Sequence, residues 1–122
     1  MATTTSSSPA LDFVLLYVSN MGESLAYFTE KLGFTYIAEE SGPGFSQLRS
    51  NGGGIDFALL LATPETLPAG QIELYFKTND LEHLRDAWIT KGIEATPVAH
   101  RPFGSIFSVT SPDGQSLTML KN

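Results

Sequence analysis

The chain has 122 residues and a mass of 13.2 kDa, the length of one ordinary domain. It contains no cysteine, which excludes disulfides, thiolate metal sites and a thiol nucleophile, and 42% hydrophobic residues indicate a globular chain. Seven Lys and Arg against 13 Asp and Glu give a net charge of −6, which disfavours nucleic acid as a partner.

Residues 1–10 are predicted to be a disordered tail. The opening MATTTSSSP has no basic residue and no apolar core, so it does not resemble a secretory signal. No later apolar run approaches the roughly 20 residues that cross a bilayer. We therefore expect a cytoplasmic protein without a membrane partner.

The first half of the chain predicts a strand, a capped helix and further strands. The strand-like run 13–18 is followed by Asn20, a residue suited to capping a helix, with Glu23 three positions on. Gly33 is suited to the left-handed position that ends the helix. One face of the predicted helix is apolar, formed by Leu25, Phe28 and Leu32.

The second half repeats this order about 60 residues later. The run 73–78 falls over 13–18, and Asn79 and Glu82 have the same capping spacing. A second helix with an apolar face of Leu81, Leu84 and Trp88 is predicted to end at Gly92. Turn-forming residues at 50–54 and 111–114 precede the last strand of each half. We predict module one at 11–62, a linker at 63–70 and module two at 71–122.

The ordered motifs are similar to those of the vicinal oxygen chelate superfamily, the group of glyoxalases, bleomycin-resistance proteins and ring-cleaving dioxygenases. The resemblance covers 11–121. It implies an α+β fold of two tandem βαβββ modules, whose curved mixed sheets surround a cavity, and a homodimer. The motifs that carry it are Tyr17-Val18-Ser19-Asn20, Ser24-Leu25-Ala26-Tyr27-Phe28, Lys31-Leu32-Gly33-Phe34, Asn79-Asp80-Leu81, Lys91-Gly92-Ile93, Phe103-Gly104 and Ser111-Pro112-Asp113-Gly114.

The resemblance also implies four positions at which metal-using members place their ligands. These positions fall on Phe13, Ala58, Glu73 and Thr118. A divalent ion needs three or four imidazole or carboxylate donors, and only Glu73 offers one. We therefore expect a protein with no metal and no cofactor, closest in character to the metal-free bleomycin-resistance-like branch.

Both histidines and two of the arginines are expected at exposed positions. His83 is expected on the exposed face of the second helix, and His100 in a loop or short edge strand. Arg49 at the rim of the cavity and Arg101 are candidates for binding an anionic group, although exposed surface residues are the simpler interpretation.

Strand alternation predicts a polar and aromatic cavity. If the first residue of each leading strand faces inward, so do the residues two and four positions on, while the opposite faces are almost wholly apolar. Phe103 is a candidate gate. The predicted ligand-binding residues are Phe13, Tyr17, Asp56, Glu73, Tyr75, Lys77, Phe103 and Thr118.

Three functions remain open from the sequence. The first is a binding protein that sequesters a drug or metabolite without transforming it. The second is an enzyme, either a metal-dependent lyase, isomerase or dioxygenase or a metal-free relative with Glu73 as general base. The third is a chain whose concave face binds a partner protein. A structural explanation for the charges, in which Glu73 pairs with Lys77 or both are solvated, also stays open.

Overall fold

Two four-stranded mixed sheets, each built by one half of the chain, organise the structure. The computed structural model describes residues 12–66, 68–70 and 72–122. The tail predicted at 1–10 therefore lies outside the described residues. No helix in these ranges is long and apolar enough to cross a membrane.

The elements of the first half follow the predicted order of strand, helix and three further strands. Helix α1 continues into a π-helical turn, and a 3₁₀ turn separates the second and third strands. The bounds are β1 Phe13–Val18, α1 Met21–Ala26, the π turn Tyr27–Lys31, β2 Thr35–Tyr36, the 3₁₀ turn Ala38–Glu40, β3 Phe45–Arg49 and β4 Asp56–Leu61.

The second half has the same order without the two short turns. Its elements are β5 Glu73–Lys77, α2 Leu81–Thr90, β6 Ala99–Arg101, β7 Gly104–Thr110 and β8 Ser116–Lys121. The strand orders are β1-β4-β3-β2 and β5-β8-β7-β6. In each sheet the first and last strands pair in parallel and the other pairs are antiparallel. The predicted α+β fold is confirmed, whereas the module and linker boundaries stay a prediction.

Alternate strand residues bury one side of each sheet against the helices. On this helix side lie Leu16 and Val18 of β1 and Leu117 and Met119 of β8, all at most 3% exposed. The core continues from one sheet to the other, because the rings of Phe57 in β4 and Phe76 in β5 lie 5.9 Å apart. The helix sides of the two sheets therefore share one core.

The helix ends agree with the sequence in the first half and differ in the second. Asn20 caps α1, with its Oδ1 accepting a hydrogen bond of 3.0 Å from the Glu23 amide. The prediction that Asn79 caps the second helix was wrong: the cap residue is Asp80, whose side chain makes no capping bond. The offset of 60 explains this, since it places Asp80 and not Asn79 opposite Asn20.

The π turn at the end of α1 was not predicted. The Leu32 amide donates to the Tyr27 carbonyl oxygen at 3.1 Å, five residues back, and this widens the helix by one residue. Phe28 and Leu32 are buried nonetheless. Gly33, with φ of +91°, ends the segment in the left-handed conformation, as the sequence predicted.

A buried glutamine links the second half to the first. Gln115 is 0% exposed, and its Nε2 donates to the Tyr17 carbonyl oxygen at 2.9 Å. Its Oε1 accepts a hydrogen bond from the Ser111 hydroxyl. These bonds satisfy an amide that would be costly to bury alone, and they hold the β7–β8 turn against β1.

Candidate functional site

The face of each sheet opposite the helices carries the residues that were predicted to face a cavity. We call these the outer faces of the first and second sheets. Strand pairing keeps partners on one face: Phe13 lies opposite Asp56, and Tyr75 opposite Thr118. The rows are Phe13, Leu15 and Tyr17 in β1; Asp56, Ala58 and Leu60 in β4; Glu73, Tyr75 and Lys77 in β5; and Ser116, Thr118 and Leu120 in β8.

The charged groups on the outer face of the first sheet bind each other. Arg49 donates to Asp56 through Nε at 3.0 Å and Nη2 at 2.7 Å, and Gln47 Nε2 donates to the same carboxylate at 3.0 Å. Glu40 lies 3.6 Å from Arg49 Nη2. The hydrogen bonds from Arg49 and then Gln47 hold the pKa of Asp56 below its ordinary value. Neither Asp56 nor Arg49, both candidates for ligand binding, carries an uncompensated charge.

The rest of this outer face is apolar and aromatic. Phe13 is 38% exposed and contacts the edge of Phe45, with 6.3 Å between ring centroids. Phe45 pairs with Leu60 in the neighbouring strand, and Tyr17 pairs with Leu60 on the other side. The first sheet therefore offers an apolar wall with one neutralised ion pair.

The outer face of the second sheet holds a carboxylate supported by two hydroxyl groups. Thr118 Oγ1 donates to Glu73 Oε2 at 3.4 Å and lies 2.6 Å from Ser108 Oγ. Thr118 has a single hydroxyl proton, so when it donates to Glu73 the proton between the two hydroxyls comes from Ser108. Thr118 is 1% exposed, whereas Glu73 is exposed. The chain of hydroxyls orients an accessible carboxylate.

Two aromatic rings are exposed on the same sheet: Tyr75 lies midway between Glu73 and Lys77 on β5, and Phe103 lies toward the Lys77 end. Tyr75 and Phe103 have centroids 6.5 Å apart and are 52% and 51% exposed. Phe103 belongs to the β6–β7 turn, and its carbonyl oxygen accepts a hydrogen bond of 3.3 Å from Asn122. Gly104 follows it with φ of +144°, where a Cβ would lie 2.5 Å from the Lys121 carbonyl oxygen. The sequence thus fixes the turn that presents the Phe103 ring.

The interpretation in which Glu73 pairs with Lys77 is not met. The ion pairs that the structure contains within residues 12–66, 68–70 and 72–122 all involve Arg49. Both Glu73 and Lys77 are exposed at opposite ends of β5, which agrees with the other structural explanation, that both charges are solvated.

A single chain brings only some of the eight predicted residues together. Asp56, Tyr75 and Lys77 line one cleft of about 190 Å³ between the sheets. That is smaller than the roughly 300–1,000 Å³ of ordinary ligand pockets. Phe103 lines a different cleft of about 440 Å³. Phe13, Tyr17 and Glu73 lie outside both clefts on the outer faces, and so does Thr118, whose side chain is buried.

The histidines lie where the sequence placed them. His83 is exposed on α2, and His100 is exposed on the edge strand β6, where its Nδ1 lies 2.7 Å from Ser105 Oγ. Arg101 is exposed, and its Nη1 donates to the His100 carbonyl oxygen at 3.5 Å. Sequence reasoning missed Phe45, Gln47 and Ser108. The same alternation, applied to β3 and β7, finds them.

The residues at the four expected metal-ligand positions do not suit a divalent ion. These are the positions at which metal-using members of the superfamily that this chain resembles place their ligands. Phe13 and Ala58 have no donor atom, and Thr118 offers a neutral hydroxyl that is already bonded to Ser108. Glu73 alone supplies a carboxylate. Within the described part of the chain, no three His, Asp or Glu residues are grouped closely enough to hold a metal.

Comparison with known proteins identifies relatives of this chain. The sequence model of the Glyoxalase/Bleomycin resistance protein/Dioxygenase superfamily matches residues 10–119. Among curated proteins, none matches significantly.

Solved structures show the same fold at low identity. TnmS3, an antibiotic binding protein from Streptomyces sp. CB03234, aligns with a TM-score of 0.84 and 19% identity over 96% of this chain and 98% of that one. A glyoxalase/bleomycin resistance protein/dioxygenase from Nocardioides aligns with a TM-score of 0.77 and 20% identity over 96% and 85%. A superfamily member from Sphaerobacter thermophilus gives 0.79 and 18% over 94% and 98%.

Proposed function

Because this chain belongs to the glyoxalase/bleomycin resistance protein/dioxygenase superfamily, we propose that it binds a small organic molecule on its outer sheet faces without a metal, and so sequesters a drug or metabolite. Fold alone does not give function, so the proposal depends on the site. The antibiotic-binding neighbour TnmS3 makes antibiotics the first compounds to test, and the exposed rings of Tyr75 and Phe103 in this chain favour aromatic ones.

The observation that carries the proposal is the exposed aromatic pair Tyr75 and Phe103 beside polar groups. Complete burial of one such side chain stabilises a protein by roughly 1.5–3 kcal/mol. Because both rings are about half exposed, much of this stabilisation is absent in the chain by itself. Exposed apolar groups with a polar rim are typical of binding sites. Glu73 and Thr118 supply the polar groups here.

A second copy of the chain completes the proposed site. Phe13 and Tyr75 are exposed on the outer faces, and the cleft that Asp56 and Tyr75 line between the sheets is small, at about 190 Å³. Covering these faces with a second copy turns them into an enclosed pocket. We expect a homodimer by light scattering at tens of micromolar. A monomer mass there would contradict this part of the proposal.

The donor chemistry of the four family positions supports binding without a metal. The purified protein should contain no stoichiometric metal by plasma mass spectrometry. Its melting temperature should not rise when Zn²⁺, Ni²⁺, Mn²⁺ or Fe²⁺ is added. One metal per chain or per dimer, with a stabilising shift, would instead favour the metal-dependent enzyme. A cytoplasmic location stays a prediction from the sequence.

The direct test is a thermal-shift screen of aromatic antibiotics and small metabolites. A ligand should raise the melting temperature with concentration, and Tyr75→Ala should remove the shift. Tyr36→Ala is the matched control, because Tyr36 is also exposed, at 43%, but lies on β2 away from the outer-face rows. Mass spectrometry should recover the compound unchanged. Conversion that is lost in Glu73→Gln would support the enzyme instead, and a screen without any shift would contradict both.

A further inference from the structure

We propose a second ligand site in the cleft of about 440 Å³ at the end of the second sheet, where the chain binds a small zwitterion of the α-amino-acid type. The cleft meets the outer face at Phe103, but its charged walls are formed by the helix side of the sheet and the start of α2. The inference is therefore independent of the proposed function. It follows from charges of both signs that line one cleft without pairing.

The sheet wall of the cleft is a polar row at the end of an apolar face. Lys121 pairs with Ser105, and Ser105 pairs with His100, so the three residues share one side of the sheet. Two residues further along β7, the same side carries Phe107, whose ring lies 5.7 Å from that of Trp88 in α2. Ser105 Oγ lies 2.7 Å from His100 Nδ1. The helix side therefore ends in a row that presents the Lys121 ammonium group to the cleft.

The helix wall of the cleft carries two carboxylates at the start of α2. Asp80 and Glu82 both line the cleft and are exposed, and the side chain of Asp80 makes no capping bond to the helix. Across residues 12–66, 68–70 and 72–122, every ion pair involves Arg49. Neither carboxylate is therefore neutralised by Lys121 or by Arg101, the second cation that lines the cleft.

The first half of the chain shows that the fold does not require these charges. Leu61 stands 60 residues before Lys121, and Gly22 stands 60 residues before Glu82. At the cap of α1, Asn20 uses its side chain to accept a hydrogen bond from the helix. The corresponding positions of the first half thus carry no charge, although the same strands and helix form there. The charges of the second half are available for binding.

The balance of charge in the cleft favours a ligand that carries both signs. Two carboxylates and two basic side chains line it, in a chain whose net charge is −6. A ligand of one sign is repelled by one wall, whereas a zwitterion is attracted by both. The long side chains of Lys121 and Glu82 can reach adjacent groups of opposite charge, and Leu81 and Val98 line the cleft beside them. An amino acid with an aliphatic side chain fits this chemistry, and the volume is that of ordinary ligand pockets.

Three aliphatic compounds that differ in charge test the inference by NMR titration of the ¹⁵N-labelled protein at pH 7. They are L-leucine, a zwitterion; 3-methylbutylamine, which lacks its carboxylate; and 4-methylpentanoate, which lacks its amine. L-Leucine should bind about fivefold more tightly than either analogue, the ratio that one exposed ion pair provides. The amide signals of Glu82, Ser105 and Lys121 should shift, and those of Phe13 and Glu73 should stay in place.

Two substitutions at exposed positions assign the charges to the two walls. Lys121→Met should remove the advantage of L-leucine over the amine, and Glu82→Gln should remove its advantage over the acid. Lys31→Met and Glu23→Gln are the matched controls, because they remove the same charges from exposed positions of the first half, and both advantages should persist in them.

Four results would overturn the inference. They are equal binding of the three compounds, equal losses in the variants and their controls, signal shifts confined to the outer faces, and no shift with L-leucine. The proposed function is untouched by any of them, because the thermal-shift screen with Tyr75→Ala tests it separately.

Discussion

The Asp113 carboxylate lies 2.6 Å from the hydroxyl oxygen of Ser19, although 94 residues separate them in the chain. Its other oxygen accepts a hydrogen bond of 3.0 Å from the Ser19 amide and one of 3.4 Å from the Ser24 hydroxyl. A turn residue of the second half therefore binds the polar groups at the start of the first helix. This joins the end of β1 in the first half to the turn between β7 and β8 in the second.

Replacing Asp113 should weaken the junction between the halves. In Asp113→Asn, an amide nitrogen or a weaker acceptor faces the Ser19 amide and hydroxyl. The free energy of unfolding should fall by about 1–2 kcal/mol in urea titrations. Asp86→Asn on α2, whose carboxylate is exposed, is the control and should change stability by less than about 0.5 kcal/mol. Equal effects would show that the carboxylate of Asp113 does not hold the halves together.

The ion pair of Arg49 and Asp56 should keep the protein folded at lower pH than it would be without the pair. The pKa of Asp56 is held below its ordinary value of 3.8, so its contribution is fully present above that pH and is lost as the pH falls through the lowered value. In Arg49→Met the carboxylate takes up its proton at higher pH. The midpoint of acid unfolding, followed by circular dichroism, should therefore move upward. A midpoint that stays in place would mean that Gln47 alone holds the carboxylate charged.

The turn that presents Phe103 should tolerate no side chain at Gly104. In Gly104→Ala, φ of +144° is strained and the new Cβ meets the Lys121 carbonyl oxygen and the Leu120 side chain. The cost should be about 1–3 kcal/mol, measured as a lower melting temperature. Gly42→Ala is the control, since nothing lies within 4 Å of its Cβ. A fully stable Gly104→Ala protein would mean that the turn rearranges.

Tyr27 is half-buried, and the burial of its hydroxyl group costs stability. Its hydroxyl has no hydrogen-bond partner among the described residues, and burial raises its pKa to about 12. Tyr27→Phe should be as stable as the parent, or up to about 1 kcal/mol more stable, because an unsatisfied polar atom is removed. Guanidinium unfolding of both proteins at pH 7 measures this difference.

The same burial predicts an alkaline transition. Folding favours the neutral phenol, so the free energy of unfolding is unaffected by this ionisation below pH 10 and falls as the pH rises toward about 12. Absorbance titration should show one tyrosine that ionises late, and Tyr27→Phe should abolish that step. A late step that persists in the variant would assign it to another tyrosine.

The side of each sheet that a residue occupies could be predicted from the sequence. Leu16 and Val18 alternate with Tyr17 in β1, and this period is a local property of any strand, so no partner needs to be known. The offset of 60 also predicted the order of elements in the second half. It also selects the observed cap of α2, Asp80; the prediction of Asn79 failed because it followed the capping preference of asparagine instead of the offset.

The contacts across strands could not be predicted in the same way. The pairing of Arg49 with Asp56 depends on the register of β3 against β4, and the support of Glu73 by Ser108 depends on that of β7 against β8. Register arises from turn geometry and packing over many residues. The separation of Phe13 from Tyr75 on open faces depends on how the two sheets pack, which no local pattern contains.

The shared core on the helix side leaves the two outer faces free to vary independently. A substitution at Phe13 or Tyr75 changes what the surface can recognise, while the packing of Phe57 on Phe76 stays as it was. Each half of the chain can therefore acquire its own binding chemistry on an unchanged scaffold. In the first half, Arg49 and Asp56 neutralise each other, whereas in the second half the Glu73 carboxylate stays accessible. The repeated fold therefore presents two chemically different surfaces.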